Sequence, residues 1–237
     1  MTRIEKIDEL DDEFNIDIDV FVDTTTKTPA IMVLDVSESQ SWYGGIENLN
    51  SAKNVFLEAL KNDDYAKSSV ELSVITFNHN FEKILPFTPI SEVNKIDNFK
   101  ASGGTDIGQA VVEAVNDIKQ REQYYKANNI RSKKPILILL TDCEIDNPSE
   151  INEAVNITNS LISRNKMTMI SIGTGKEVNN EQLKRFNPTS PVLYSPEPED
   201  LIELFEWVST TLIGYSQVGN NESFKSEPLE NRRIEFV

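Results

Sequence analysis

The chain has 237 residues, 38% hydrophobic and 26% charged, the make-up of an ordinary soluble protein large enough to bury a core without disulfide staples. Its 23 bases against 39 acids leave a formal net charge of −16, which argues against nucleic acid or an anionic membrane surface as a partner, because phosphate binding needs clustered Lys and Arg. The single cysteine, Cys143, excludes an intrachain disulfide, the N-terminus carries no apolar signal region, and the longest strongly apolar run, residues 136–140, is far too short to span a bilayer; a cytoplasmic location is expected.

In chain order, residues 1–27 form an acidic arm. Residues 1–23 hold nine acids and two bases, a net charge of −7. Within the arm, Ile16, Ile18, Val20 and Val22 alternate with Asp17, Asp19 and Asp23, the period-two pattern of an edge strand with one wet face. The arm serves as a solubilising segment or, alternatively, as a source of carboxylates that compete for a cation site further along the chain. Residues 24–28 read as a linker.

Residues 29–35 are a short apolar run, predicted as a buried strand. A helix follows, with Ile46, Leu49, Ala52, Val55, Phe56, Ala59 and Leu60 at helical spacing. Residues 69–78 predict a strand, and residues 81–87 its antiparallel neighbour, with His79 in the intervening turn. A long helix is expected over residues 105–125, with Thr105 as a candidate N-cap. Residues 133–142 predict a second buried strand and residues 148–163 a helix opened by Pro148. A strand ended by Gly173, a short helix near 180–186, a last strand at 191–195 and an amphipathic helix through Leu201, Leu204, Phe205, Val208 and Leu212 complete the pattern. This alternation predicts one α/β domain over residues 28–215: a doubly wound, mostly parallel sheet with one antiparallel edge strand and helices on both faces. Residues 216–237 read as a polar tail.

In such a sheet, ligands bind outside the carboxyl ends of the strands where the strand order reverses. Three stretches belong at that edge. "VLDVSESQS" places Asp35, Ser37 and Ser39 directly after the first buried strand. "ASGGTDIGQ" places Thr105 before a helix, with Gly103 and Gly104 allowing close backbone approach. "ILLTDCEID" places Asp142 after another buried strand. Alternate residues of an extended loop project to one side, so Asp35, Ser37 and Ser39 share a face. Hydroxyls and carboxylates are hard oxygen donors suited to Mg²⁺ or Mn²⁺. Zinc is disfavoured by one Cys and one His in the whole chain. The competing reading is that these residues merely cap a turn and the next helix.

Asp-x-Ser-x-Ser followed by a distant Thr and a distant Asp resembles the metal-ion-dependent adhesion site of von Willebrand factor A domains, a family with a Rossmann-like fold. Residues 71–78, 101–111 and 135–142 look most like bacterial stand-alone members associated with tellurium resistance and related stress operons. The resemblance implies a protein-interaction adaptor rather than an enzyme. Ser37, Ser39 and Thr105 would contact Mg²⁺, with Mn²⁺ or Ca²⁺ as substitutes. Asp35 and Asp142 would act directly or through water, and a protein partner would supply an Asp or Glu. Three positions depart from the family pattern: Glu38 and Gln40 stand where Gly and Met are usual, and Cys143 replaces a Gly. Glu38, Trp42 and Tyr43 are candidates for a partner-binding rim, with core packing as the alternative for the two aromatics. Cys143 reads as a buried residue and not a nucleophile. The rival function is a metal-dependent phosphoester hydrolase on a similar fold.

Overall fold

The computed structural model describes residues 25–143, 151–176, 178–195, 197–218 and 235–236. The predicted edge strand at 15–23, most of the polar tail and Pro148 lie outside the described residues.

The first apolar run becomes β1 (Thr28–Asp35), all eight residues of which are buried. A 3-10 segment (Glu38–Gly44) leads straight into α1 (Gly45–Asn62). A short α2 (Asp64–Ser69), absent from the periodicity reading, is nucleated by Asp63, whose carboxylate accepts from the Ala66 amide at 2.7 Å. The hairpin β2 (Val70–Phe77) and β3 (Phe81–Pro89) is antiparallel, as expected. Then come α3 (Ile107–Ala127), β4 (Ile136–Thr141), α4 (Asn152–Ser163), β5 (Thr168–Thr174), α5 (Asn180–Lys184), β6 (Leu193–Ser195) and α6 (Leu201–Gln217). Helix α6 runs to Gln217, past the expected domain end at 215, and β7 (Glu235–Phe236) pairs antiparallel with β6.

The strand order is β3-β2-β1-β4-β5-β6-β7. The pairs β2–β1, β1–β4, β4–β5 and β5–β6 are parallel. This is the doubly wound, mostly parallel sheet that the strand–helix alternation implies. Alternation along β1 divides two cores. Ala30, Met32 and Leu34 point into a cluster with Leu49, Phe56, Leu60, Phe205 and Leu212 from α1 and α6. Ile31 and Val33 point the other way, toward Ile107, Val111 and Val115 of α3 and Ala154 of α4. Chain order runs outward from β1 in both directions, so the switch point lies between the carboxyl ends of β1 and β4.

Phe56 and Phe205 join α1 to α6 edge to face, with ring centroids 6.1 Å apart at 77°. Phe56 is fully buried, so Phe56→Ala is expected to cost roughly 3–5 kcal/mol. Urea unfolding should show this as a lower midpoint at unchanged slope; a loss under about 1 kcal/mol would mean the two helices repack freely.

Candidate metal centre

The β1–β4 register pairs Leu34 with Leu140, which brings Asp35 beside Thr141 at the switch point. Asp35 has 0% of its surface exposed. One carboxylate oxygen, Oδ1, accepts from the Ser37 amide at 2.9 Å, and Oδ2 accepts from Thr141 Oγ1 at 2.7 Å. The Cys143 amide donates to the same Thr141 hydroxyl oxygen at 2.8 Å. A buried carboxylate is tolerable only with such partners.

Above this pair lies a chain of oxygens. Ser37 Oγ is 2.9 Å from Ser39 Oγ, and Ser39 Oγ donates to Asp142 Oδ2 at 2.5 Å. Gln40 Nε2 also donates to Asp142 Oδ2, at 3.2 Å. Ser37 occupies the N-cap position of the 3-10 segment, yet its side chain makes no capping bond. Its hydroxyl serves the oxygen cluster instead, which weighs against the simple helix-capping reading. The loop is not extended throughout, as the alternate spacing suggested. Ser37 is extended, but Ser39 lies inside the 3-10 segment, because the Gln40 amide turns back to the Ser37 carbonyl at 3.0 Å.

The loop that carries Thr105 is fastened by main chain to the first loop and to the β2–β3 turn. The Ser102 amide donates to Val36 O at 2.9 Å, the Glu38 amide to Gly103 O at 2.9 Å, and the Asp106 amide to Asn78 O at 2.6 Å. Thr105 lies between these ties, half-buried. Among the described residues no hydrogen bond joins Thr105 to Asp35, Ser37, Ser39 or Asp142. Thr105 is not the N-cap of α3, as its position suggested; Asp106 is, accepting from the Gln109 amide at 3.2 Å. That leaves the threonine hydroxyl outside the capping role. Gly103 has φ +73°, and a Cβ there would come within 2.2 Å of His79 Nδ1, so the predicted turn residue His79 packs directly on this loop. Gly104 meets nothing within 4 Å.

Burial pushes the Asp35 carboxyl up to about 7, and the neighbouring Asp142 carboxylate adds to the rise, while hydrogen bonds from Ser37 and Thr141 pull it back. Two carboxylates repelling across a set of hydroxyls are a fitting donor set for a hard divalent cation, which would replace that repulsion with attraction. Among the described residues no group of three or more His, Cys, Asp and Glu side chains is arranged to hold a metal, so any ion here leans on hydroxyls as well as on the two acids. Cys143 is fully buried, and burial, with the nearby Asp142 and Asp35, pushes its thiol up to about 12. Such a thiol is no nucleophile.

Of the predicted rim, Glu38 is exposed and Trp42 is 55% exposed, so the indole faces solvent rather than core; the Tyr43 side chain lies outside what the structure describes. Beside the oxygen cluster, a groove of about 600 Å³ opens between the β2–β3 turn and residues 97–102, lined among others by Val36, His79, Phe81, Phe99, Lys100 and Ser102. Sequence reasoning missed two contributors. Thr141 is legible as the residue before Asp142 once β1 and β4 are set side by side. Gln40 carried no signal beyond its departure from the family pattern.

A doubly wound α/β sheet with an oxygen-rich cluster at its switch point defines the class: a single α/β domain with a candidate ligand site at the carboxyl edge of its strands. The chain belongs to the von Willebrand factor type A domain family, whose sequence pattern matches residues 31–207. No curated protein shows significant similarity to it. Among solved structures, the vWF domain of the type V pili tip protein Mfa5 from Porphyromonas gingivalis superposes with a TM-score of 0.61 at 12% identity, covering 84% of this chain and 99% of that one. The manganese-loaded TRAP protein of Plasmodium vivax gives 0.55 at 16% identity, covering 75% and 71%. Proximal thread matrix protein 1 from the mussel byssus, with a zinc-occupied MIDAS motif, gives 0.52 at 16% identity, covering 78% and 48%. The chain thus spans about half the length of the mussel protein. At these identities the likeness establishes the shared fold. No helix among the described residues is long and apolar enough to cross a membrane.

Gly103→Ala should cost about 1–2 kcal/mol through its left-handed backbone alone, plus the collision with His79. The pair Gly103→Ala and His79→Ala should recover the steric share and retain the backbone share. A single variant as stable as wild type in urea unfolding would show that this loop relaxes without strain.

Proposed function

We propose that the chain is an adaptor module that docks a protein partner through a divalent cation. The observation that carries this reading is the hydroxyl–carboxylate chain Ser37–Ser39–Asp142 standing over the buried Asp35. Ser37, Ser39 and Thr105 would hold the ion, with Asp35 and Asp142 acting directly or through water. Mg²⁺ suits this donor set best, and Mn²⁺ or Ca²⁺ are substitutes. Support for a divalent ion comes from neighbours of the same fold solved with manganese and with zinc. When bound, the ion supplies unneutralised positive charge, because most of its protein ligands are neutral hydroxyls. An Asp or Glu of the partner then gains a strong, directional bond.

The surroundings suit docking. Trp42 offers an exposed aromatic beside the cluster, and the adjoining groove offers Phe81 and Phe99 to residues flanking the partner's carboxylate. Hydrolysis fits less well. Both oxygens of the fully buried Asp35 are already bonded to protein donors, so that carboxylate is not poised to activate water. The likeness of residues 71–78, 101–111 and 135–142 to tellurium-resistance-associated proteins supports a place in a bacterial stress complex. The single buried cysteine suits a reducing, cytoplasmic setting.

Titration calorimetry with Mg²⁺ is expected to show one site, weakened by at least about tenfold in Ser37→Ala and in Asp142→Ala. Partner capture should need Mg²⁺, vanish with chelator and with Ser37→Ala, and weaken in Trp42→Ala, whose Mg²⁺ affinity should stay at the wild-type value. Turnover of generic phosphoesters, abolished by Asp35→Ala, would overturn the adaptor reading in favour of a hydrolase.

A further inference from the structure

Residues 93–106 run for 14 residues without helix or strand and then deliver Thr105 to the candidate site. Irregular stretches of this length inside a compact domain are uncommon and need anchoring. The anchors come from one stripe of α1. Asn50, 8% exposed, grips Phe99 from both sides: its Nδ2 donates to Phe99 O at 3.0 Å and its Oδ1 accepts from the Phe99 amide at 2.7 Å. Lys53, 1% exposed, donates through Nζ to Ile96 O at 2.8 Å and Asp97 O at 2.9 Å, and its ammonium stands 4.8 Å from the Phe99 ring centre. Two turns on, Lys61 Nζ donates to Asn94 O at 2.8 Å.

Lys53 is the informative member. Among the described residues it makes no ion pair, so a buried charge is devoted to main-chain carbonyls and one aromatic face. Packing alone would be served by Met or Leu at lower desolvation cost. What the ammonium adds is a pair of directed, charge-assisted bonds that hold the loop in one place.

Helix α1 is also the direct continuation of the 3-10 segment that carries Ser39 and Gln40, and Gly45 at the junction leaves no room for a Cβ, which would come within 2.7 Å of Gln40 O. One continuous stretch of chain therefore carries Ser39 and Gln40 and grips the loop that carries Thr105. We infer that Asn50 and Lys53 are positioning residues that set the spacing between Thr105 and the Ser37–Ser39 pair, and through it the preference of the site for a small cation over a large one. The inference rests on the metal reading above. Mg²⁺ demands a near-ideal octahedron of short bonds, whereas Ca²⁺ accepts longer, irregular coordination, so loosening one donor loop should penalise Mg²⁺ far more than Ca²⁺.

Two measurements test this. In metal-free protein, hydrogen exchange at the Ser102 and Asp106 amides should speed up by at least about tenfold in Asn50→Ala and Lys53→Met, with β1 and β4 amides unchanged and Lys53→Arg close to wild type. Unchanged exchange at those two amides overturns the inference without reference to any metal. In calorimetry, the same two variants should lose at least about tenfold in Mg²⁺ affinity and less than about threefold for Ca²⁺, shifting the ratio, while Lys53→Arg restores it. Equal losses for both ions would reduce the tether to a structural brace and overturn the selectivity role. Wild-type protein that binds Mg²⁺ no better than Ser37→Ala would overturn the metal reading itself, and the selectivity role with it, whatever the exchange data show.

Discussion

Parallel pairing of β1 with β4 is the constraint from which the candidate site follows. It sets two strand ends side by side at the switch point, so that Asp35 meets Thr141 and Asp142 projects over the first loop. Each strand is buried throughout and apolar until its end, so the first polar groups at the carboxyl edge are Asp35 on β1 and Thr141, followed directly by Asp142, on β4. The bond from Thr141 to Asp35 does double service. It offsets the burial of a carboxylate, and it locks the two strand ends at a fixed spacing. Shifting either strand by one residue would turn the acid at its end to the opposite face of the sheet and part the pair.

The electrostatics of the chain give that pair its meaning. An acidic protein with two carboxylates held close has no reason to attract an acidic partner by itself. A cation at the switch point changes the local sign. The lysines most deeply placed do not supply it, because they are engaged elsewhere. Lys53 binds Ile96 and Asp97 carbonyls, and Lys133 binds the Tyr215 and Val218 carbonyls where α6 ends. Both act as staples for irregular backbone. Under the proposed metal reading, positive charge for an incoming carboxylate would come from a bound ion, while Lys53 holds the loop that leads to Thr105 and Lys133, at the opposite end of β4, holds the end of α6.

Periodicity carried much of the architecture. The apolar run ending at Asp35 and the helical spacing from Ile46 to Leu60 each matched an observed element, since burial on one or both faces imposes these patterns directly, and the strand expected over residues 81–87 pairs antiparallel with β2. Boundaries and local turns were less legible. Thr105 and Asp106 are adjacent and chemically similar as caps, and only the backbone path chooses Asp106. The alternate spacing of Asp35, Ser37 and Ser39 looked like an extended loop, but a 3-10 turn intervenes after Ser37 because the chain must begin α1 within a few residues. Helix α2 is six residues long, too short to show a period. Trp42 could not be assigned to core or rim from its neighbours, and the structure leaves it exposed.

The sequence by itself determined the fold class and marked Asp35, Ser37, Ser39, Thr105 and Asp142 as candidate oxygen donors, because strand burial and hard-ligand chemistry both leave marks that need no partner to be read. Tertiary structure alone decided how those donors meet. The Gln40 and Ser39 contacts to Asp142, the Thr141 brace on Asp35, the seat of His79 against Gly103 and the grip of Asn50 and Lys53 on a distant loop all join residues far apart in the chain. Such contacts depend on strand order and register, and these are settled by packing among whole elements and not by any local pattern.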